Sequence, residues 1–121
     1  MMEGARYLPF LAPGSIAIVS TQKVPPLAVA TGTAAYPSRE GLLAAYGRHV
    51  REVTEVDAPS VARKLGKPQV VSTVMLGALS TYLELDEEIW LEVLRQRLPA
   101  KLVDMNVEAF RAGRELVVGI R

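Results

Sequence analysis

Two short apolar runs with β-branched residues constrain the fold most. Ser15–Ser20 and Val50–Val56 each have the length and composition of a buried strand. Ser38, which can cap a helix, starts a helical segment between them that runs to about His49, and Asp57 starts another that ends near Gly66. Because strand–helix–strand–helix order favours parallel pairing, we expect an α/β fold, a three-layer α/β/α arrangement around a small, mostly parallel sheet.

The rest of the chain adds helices and one long loop. We predict helices over residues 69–83, over a segment that Asp86 caps, and over Ala100–Gly113, which is the last helix. The tail Glu115–Arg121 is a candidate for a further strand. The C-terminal half is therefore predicted to be mostly helical. Thr21–Pro37 contains three prolines and reads as a long loop, a kind of segment that often carries function.

Size and charge exclude several classes of protein. A chain of 121 residues is long enough for one domain. Its 14 basic and 13 acidic side chains nearly cancel, so no strong positive electrostatic field would attract nucleic acid. We find no signal peptide and no apolar run long enough for a bilayer, so we expect a cytoplasmic, soluble protein.

Candidate catalytic and metal-binding residues are scarce. The chain has no cysteine, its lone histidine is His49, and no nucleotide-binding, hydrolase or zinc-protease motif occurs. The acidic run 86–88 lies at a predicted helix start, where dipole complementarity explains it better than metal binding does. We therefore assign no catalytic residue and no metal ligand, and the cofactor-binding residues stay unknown.

Five residues stand out as structural or interface candidates. On the last predicted helix, Phe110 and Gly113 share an apolar sector with Asn106, whose amide needs hydrogen-bond partners there. We expect a structural role for Asn106, and a ligand or subunit contact is the alternative. Ser72 and Gly77 belong to a stripe of small and polar residues on the preceding helix. That stripe fits close approach of another backbone, or else a pocket for a small polar ligand.

Several motifs resemble the C-terminal portion of the gamma-type subunit or domain of 2-oxoacid:ferredoxin oxidoreductases, the pyruvate and indolepyruvate family. The matching segments, in chain order, are Arg6–Leu11, Tyr36-Pro37, Asp57-Ala58, Gly66–Leu79, Leu98–Lys101 and Asn106–Phe110 with Gly113. The chain departs from the family at Ser72, which stands where the family has an asparagine. The resemblance implies a partial gamma-type domain over residues 1–121 that lacks a glycine-rich N-terminal part.

The resemblance also implies a function. The family oxidatively decarboxylates 2-oxoacids to acyl-CoA and passes the electrons to ferredoxin. Its thiamine diphosphate, Mg²⁺, iron–sulfur clusters and CoA would be handled by the complex, and none would be bound by this chain. We thus expect a non-catalytic subunit or fragment that forms homo- or hetero-oligomers with other subunits of the complex.

Two other functions stay open at this point. The first is a standalone small-ligand-binding or protein-interaction module without enzymatic activity, which would use the Thr21–Pro37 loop and the stripe of small and polar residues. The second, a small independent enzyme, has the weakest support because no nucleophile and base can be paired in the sequence.

Overall fold

The computed structural model describes the backbone of residues 2–120 and the side chains of residues 2–119. The chain divides into two compact units, which separate between Glu55 and Val56. The first unit contains the long loop and the sheet except for its last residue, Val56, and the second is built mainly from helices.

The sheet consists of two parallel strands, β1 and β2. Strand β1 spans Ile16–Ser20 and β2 spans Glu52–Val56. Burial alternates along each strand, as expected where one face packs on a core. The backbone N–H of Arg51 donates to the carbonyl of Ser15 and thereby aligns the starts of the two strands. The predicted α/β class with a small parallel sheet is confirmed.

Three helices accompany the strands of the first unit. These are α1 (Met2–Ala5), α2 (Leu27–Ala30) and α3 (Arg39–His49). The Ser38 hydroxyl accepts a hydrogen bond from the N–H of Gly41, which confirms Ser38 as the N-cap of α3. A 3-10 turn, Leu8–Phe10, follows α1.

The second unit contains the other four helices of the described residues. They are α4 (Ala58–Lys64), α5 (Val71–Ser80), α6 (Glu87–Arg97) and α7 (Ala100–Ile120). The Asp57 carboxylate accepts from the N–H of Ser60 and caps α4, and Gly66 beyond its end has φ 75°. Asp86 stands at the N-cap position of α6, but its side chain makes no cap hydrogen bond there. The predicted helical C-terminal half is confirmed.

The tail contradicts the sequence prediction. Residues 115–120 form no strand, because α7 continues through Gly113 to Ile120. Phe110, Gly113 and Val117 are all buried, at spacings of three and four residues. That spacing places them on one side of a helix, whereas a strand would alternate every second residue. Helix packing therefore extends to Val117.

None of the helices in residues 2–120 combines the length and the apolar character needed to cross a bilayer.

Tyr46 is the largest side chain in the core of the first unit. It packs with Leu8, Ala17, Val19 and Val50, and only 3% of its surface is exposed. Burial raises the pKa of its phenol above 10.0, and the neighbouring Tyr36 raises it further. The folded chain therefore keeps the Tyr46 proton to a higher pH than the unfolded chain does.

This pKa shift predicts a loss of stability in alkali. Above pH 10, the unfolded state binds fewer protons at this position than the folded state, so the free energy of unfolding falls as pH rises. We expect the Tyr46→Phe variant, which has no phenol there, to show a shallower decline across that range. Urea denaturation at a series of pH values measures both slopes. Equal slopes for the two proteins would contradict the argument.

Candidate functional site

Most of the residues singled out in the sequence meet where α5 packs along α7. Gly77 lies against Phe110, and Gly113 lies against the backbone of α5. Asn106 bonds across the same contact, one turn of α7 before Phe110. Ser72 is exposed on α5 and makes none of these contacts. The structure thus brings four of the five candidates together and leaves Ser72 outside.

Two glycines set the distance between these helices. A Cβ added at Gly77 would collide with the carbonyl of Phe110, and one added at Gly113 would collide with the carbonyl of Val74. The two backbones therefore touch at both points, and only hydrogen atoms fit between them. The predicted end of the last helix at Gly113 is wrong, because α7 continues past this glycine to Ile120.

Asn106 links the two helices by hydrogen bonds. Its Oδ1 accepts from the Thr73 hydroxyl at 2.6 Å, and its Nδ2 donates to the carbonyl of Leu102 at 2.8 Å. Only 8% of the residue is exposed, so these bonds replace water that the amide would otherwise bind. The geometry assigns Asn106 to the helix contact.

A second polar link at this contact escaped the sequence analysis. The Ser80 hydroxyl donates to the carbonyl of Gly77 at 2.6 Å and accepts from Nη1 of Arg114 at 2.7 Å. Ser80 is 1% exposed, and Arg114 is half-buried. Arg114 follows Phe110 by four residues, and this spacing could have placed it on the packed side of α7.

Two glutamates of the acidic run at the start of α6 lie next to arginines. Glu87 lies 3.5 Å from Nε of Arg111, and Glu88 lies 3.7 Å from Nη1 of Arg95. Among the described residues, no three His, Cys, Asp or Glu side chains are grouped closely enough to hold a metal ion. His49 is exposed, and its Nδ1 lies 3.0 Å from the carbonyl of Ala45 on its own helix.

The first unit contains a small cavity next to the long loop, which we call the loop pocket. Its volume is about 170 Å³, and its lining residues are Thr21, Lys23, Tyr36, Arg39, Leu42 and Glu55. Three of them come from the loop 21–37, two from the first turn of α3, and one from β2. The loop pocket is therefore formed where the predicted functional loop meets the sheet.

An ion pair forms one side of the loop pocket. Nε of Arg39 donates to both carboxylate oxygens of Glu55, at 3.0 and 2.9 Å, and Nη2 lies 2.9 Å from Oε1. This pairing raises the pKa of Arg39 further above its ordinary value. On the other side, the Lys23 ammonium lies 5.6 Å from the centroid of the Tyr36 ring, within cation–π range.

Comparison with known proteins gives a consistent result. The family described as pyruvate ferredoxin/flavodoxin oxidoreductase matches residues 3–116. Indolepyruvate oxidoreductase subunit IorB of Archaeoglobus fulgidus is 30% identical over 114 residues, which is 92% of this chain and 56% of that protein. The IorB subunit of Thermococcus kodakarensis is 30% identical over 123 residues, 93% of this chain and 57% of that protein.

A third relative is the IorB subunit of Methanothermobacter thermautotrophicus, 29% identical over 114 residues, with 93% of this chain and 58% of that protein covered. The chain thus spans somewhat more than half the length of the curated relatives it matches. No solved structure gives a significant match.

The glycine contacts make a paired prediction on α7. In the Gly113→Ala variant the new methyl group would meet the Val74 carbonyl, so the helices must separate. We expect a loss of at least about 2 kcal/mol in the free energy of unfolding, since backbone cannot move aside as a side chain can. Gly119→Ala on the same helix meets no atom within 4 Å and should be neutral or stabilising by up to about 1 kcal/mol. Urea denaturation checks both, and equal effects would contradict the close approach.

The Thr73–Asn106 bond predicts a non-additive pair of substitutions. Asn106→Ala leaves the Thr73 hydroxyl without its acceptor and should cost about 1–3 kcal/mol. Because Thr73→Val then removes a group that is already unpaired, the double variant should be more stable than the sum of the single effects predicts. A double-mutant cycle by urea denaturation measures the coupling. Strict additivity would show that the bond contributes nothing.

Proposed function

The chain belongs to the pyruvate ferredoxin/flavodoxin oxidoreductase family, and on this premise we propose that it is a non-catalytic, gamma-type component of a 2-oxoacid:ferredoxin oxidoreductase in the cytoplasm. The proposed complex decarboxylates a 2-oxoacid of the indolepyruvate type oxidatively, forms an acyl-CoA and reduces ferredoxin. The family match over residues 3–116, together with the indolepyruvate oxidoreductase subunits among its relatives, carries the proposal. We also propose that the chain corresponds to the C-terminal portion of a gamma-type domain.

The chemistry of the side chains supports a non-catalytic role. Iron–sulfur clusters are held mainly by cysteine thiolates, and this chain has no cysteine. Its one histidine is exposed and bonded to its own helix. We propose that thiamine diphosphate, Mg²⁺ and the clusters are bound by companion subunits, which together with CoA and ferredoxin complete the reaction.

The positions of the family-like motifs support the same conclusion. Gly77, Asn106, Phe110 and Gly113 all belong to segments that carry the resemblance, and all four lie in the contact between α5 and α7. Their side chains and backbones are used in helix packing, so they are not available to bind a substrate. A rigid helical support is the role that this arrangement suits.

Exposed apolar side chains support assembly with other subunits. Between residues 79 and 93, five large apolar side chains keep 41–50% of their surface exposed: Leu79, Leu83, Leu85, Ile89 and Val93. The free energy falls when a partner removes such side chains from water, so they favour association. In the proposed complex, we expect companion subunits to cover at least part of this segment.

Native co-purification tests the proposal. We expect the tagged chain, isolated from an extract of its own organism, to bring with it subunits that contain thiamine diphosphate and iron–sulfur clusters. The isolated complex should reduce ferredoxin in the presence of indolepyruvate and CoA, and the chain alone should not. Mass spectrometry, cofactor analysis and the ferredoxin assay provide the measurements. Turnover by the purified chain alone would overturn the non-catalytic role, and absence of such subunits would overturn membership in the complex.

Two variants of α6 serve as a matched pair in this experiment. Ile89→Glu adds one negative charge at a half-exposed apolar position, and Gln96→Glu adds the same charge at an exposed polar position. We expect the first to reduce co-purification and the second to leave it unchanged. Circular dichroism of both variants shows whether they remain folded.

A further inference from the structure

The charges around the loop pocket do not cancel. Arg39 and Glu55 neutralise each other through their two-oxygen ion pair. The charge of Glu40 also attracts that of Arg39 and raises its pKa, but Glu40 does not line the cavity. Lys23 has no carboxylate partner among the residues that the structure describes, and its nearest recorded contact is the ring of Tyr36. The side chains that line the pocket therefore carry a net charge of +1, which is that of Lys23.

Leu42 and the ring of Tyr36 give the lining an apolar part. Leu42 is 6% exposed, and it lines the cavity together with Tyr36. An occupant would thus meet the positive charge of Lys23 and a hydrocarbon surface.

The size of the cavity limits its occupant. A volume of about 170 Å³ is below the range typical of pockets for drug-sized ligands. Since a water molecule occupies about 30 Å³ in the liquid, the pocket has room for roughly five water-sized groups. A carboxylate with a short branched chain has this size, whereas a nucleotide or a coenzyme does not fit inside.

The charge limits the occupant as well. Inorganic phosphate carries between one and two negative charges near neutral pH, and only one cation is uncompensated. The Glu55 carboxylate, whose side chain is 20% exposed, lies in the same lining and would repel a second negative charge. A monoanion matches the pocket better than a dianion does.

We propose that the loop pocket binds a small monocarboxylate, whose carboxylate pairs with Lys23 and whose short apolar chain lies against Leu42. This inference concerns the isolated chain and holds whether or not the chain joins the proposed complex. It assigns a ligand class to the long loop that the sequence singled out.

A titration followed by nuclear magnetic resonance tests the proposal. The full 121-residue chain, labelled with ¹⁵N, is titrated with sodium isobutyrate at constant ionic strength. We expect saturable shifts of the amide signals of residues 21–23, 36 and 38–42. Isobutyramide has the same shape without the charge and should cause no saturable shift. Shifts that grow linearly with isobutyrate, or equal binding of the amide, would overturn the proposal.

Two lysine variants give the matched control. Lys23→Met removes the uncompensated cation and should weaken isobutyrate binding about tenfold or more, the effect of losing one charge-assisted contact. Lys101→Met removes an exposed lysine of α7, outside the pocket lining, and should leave the affinity unchanged. Amide signals outside the pocket report whether each variant is folded. Equal affinity of the Lys23 variant and the unmodified chain would refute the assigned role.

Two further probes separate the possible sources of the anion. Inorganic phosphate should bind more weakly than isobutyrate, and equal or tighter binding would overturn the monocarboxylate assignment. N-acetyl-aspartate amide presents the carboxylate of a protein side chain with its peptide groups attached. We expect it to bind more weakly because those groups exceed the cavity. Tighter binding of this probe would mean that the pocket accepts a partner's acidic side chain and that a free acid is not its ligand.

Discussion

The structure of the second unit depends on one steric constraint, the backbone-to-backbone approach of α5 and α7. Gly77 and Gly113 each leave space for a carbonyl of the facing helix, and neither position admits a Cβ. At that separation, short side chains can bridge the helices, which is why the Thr73 hydroxyl reaches Asn106 and the Ser80 hydroxyl meets Arg114. Wider spacing would leave these buried polar groups without partners and would expose the surface around Phe110.

This constraint explains how the family-like motifs are used. A glycine, an amide and a phenylalanine in these segments serve the packing of α5 on α7. The proposed supporting role agrees with that use. Iron–sulfur clusters are held mainly by cysteine thiolates, and this chain has no cysteine. The loop pocket belongs to the other unit and uses different residues, so its occupant can be studied independently of the complex.

The correct and incorrect sequence predictions have different physical origins. Ser38, Asp57 and Gly66 were placed correctly because a cap or a left-handed turn is decided within a few residues of chain. The C-terminal tail was misread because its β-branched residues favour a strand locally, while its burial follows the helical period set by packing on the rest of the unit. The last helix was ended too early, at Gly113, because a helix-ending glycine and a close-contact glycine have identical local sequences.

The sequence by itself determined the order of strands and helices, the short strands, most helix starts and the absence of cysteine chemistry. Each of these depends on residue type and local spacing. Only the tertiary structure decided that Gly113 is a contact, that Ser80 and Arg114 form a second link, and that Ser72 stays outside. It also decided that Lys23, Tyr36 and Glu55 line one cavity. These relations join residues more than twelve positions apart, and their geometry arises only when the chain packs.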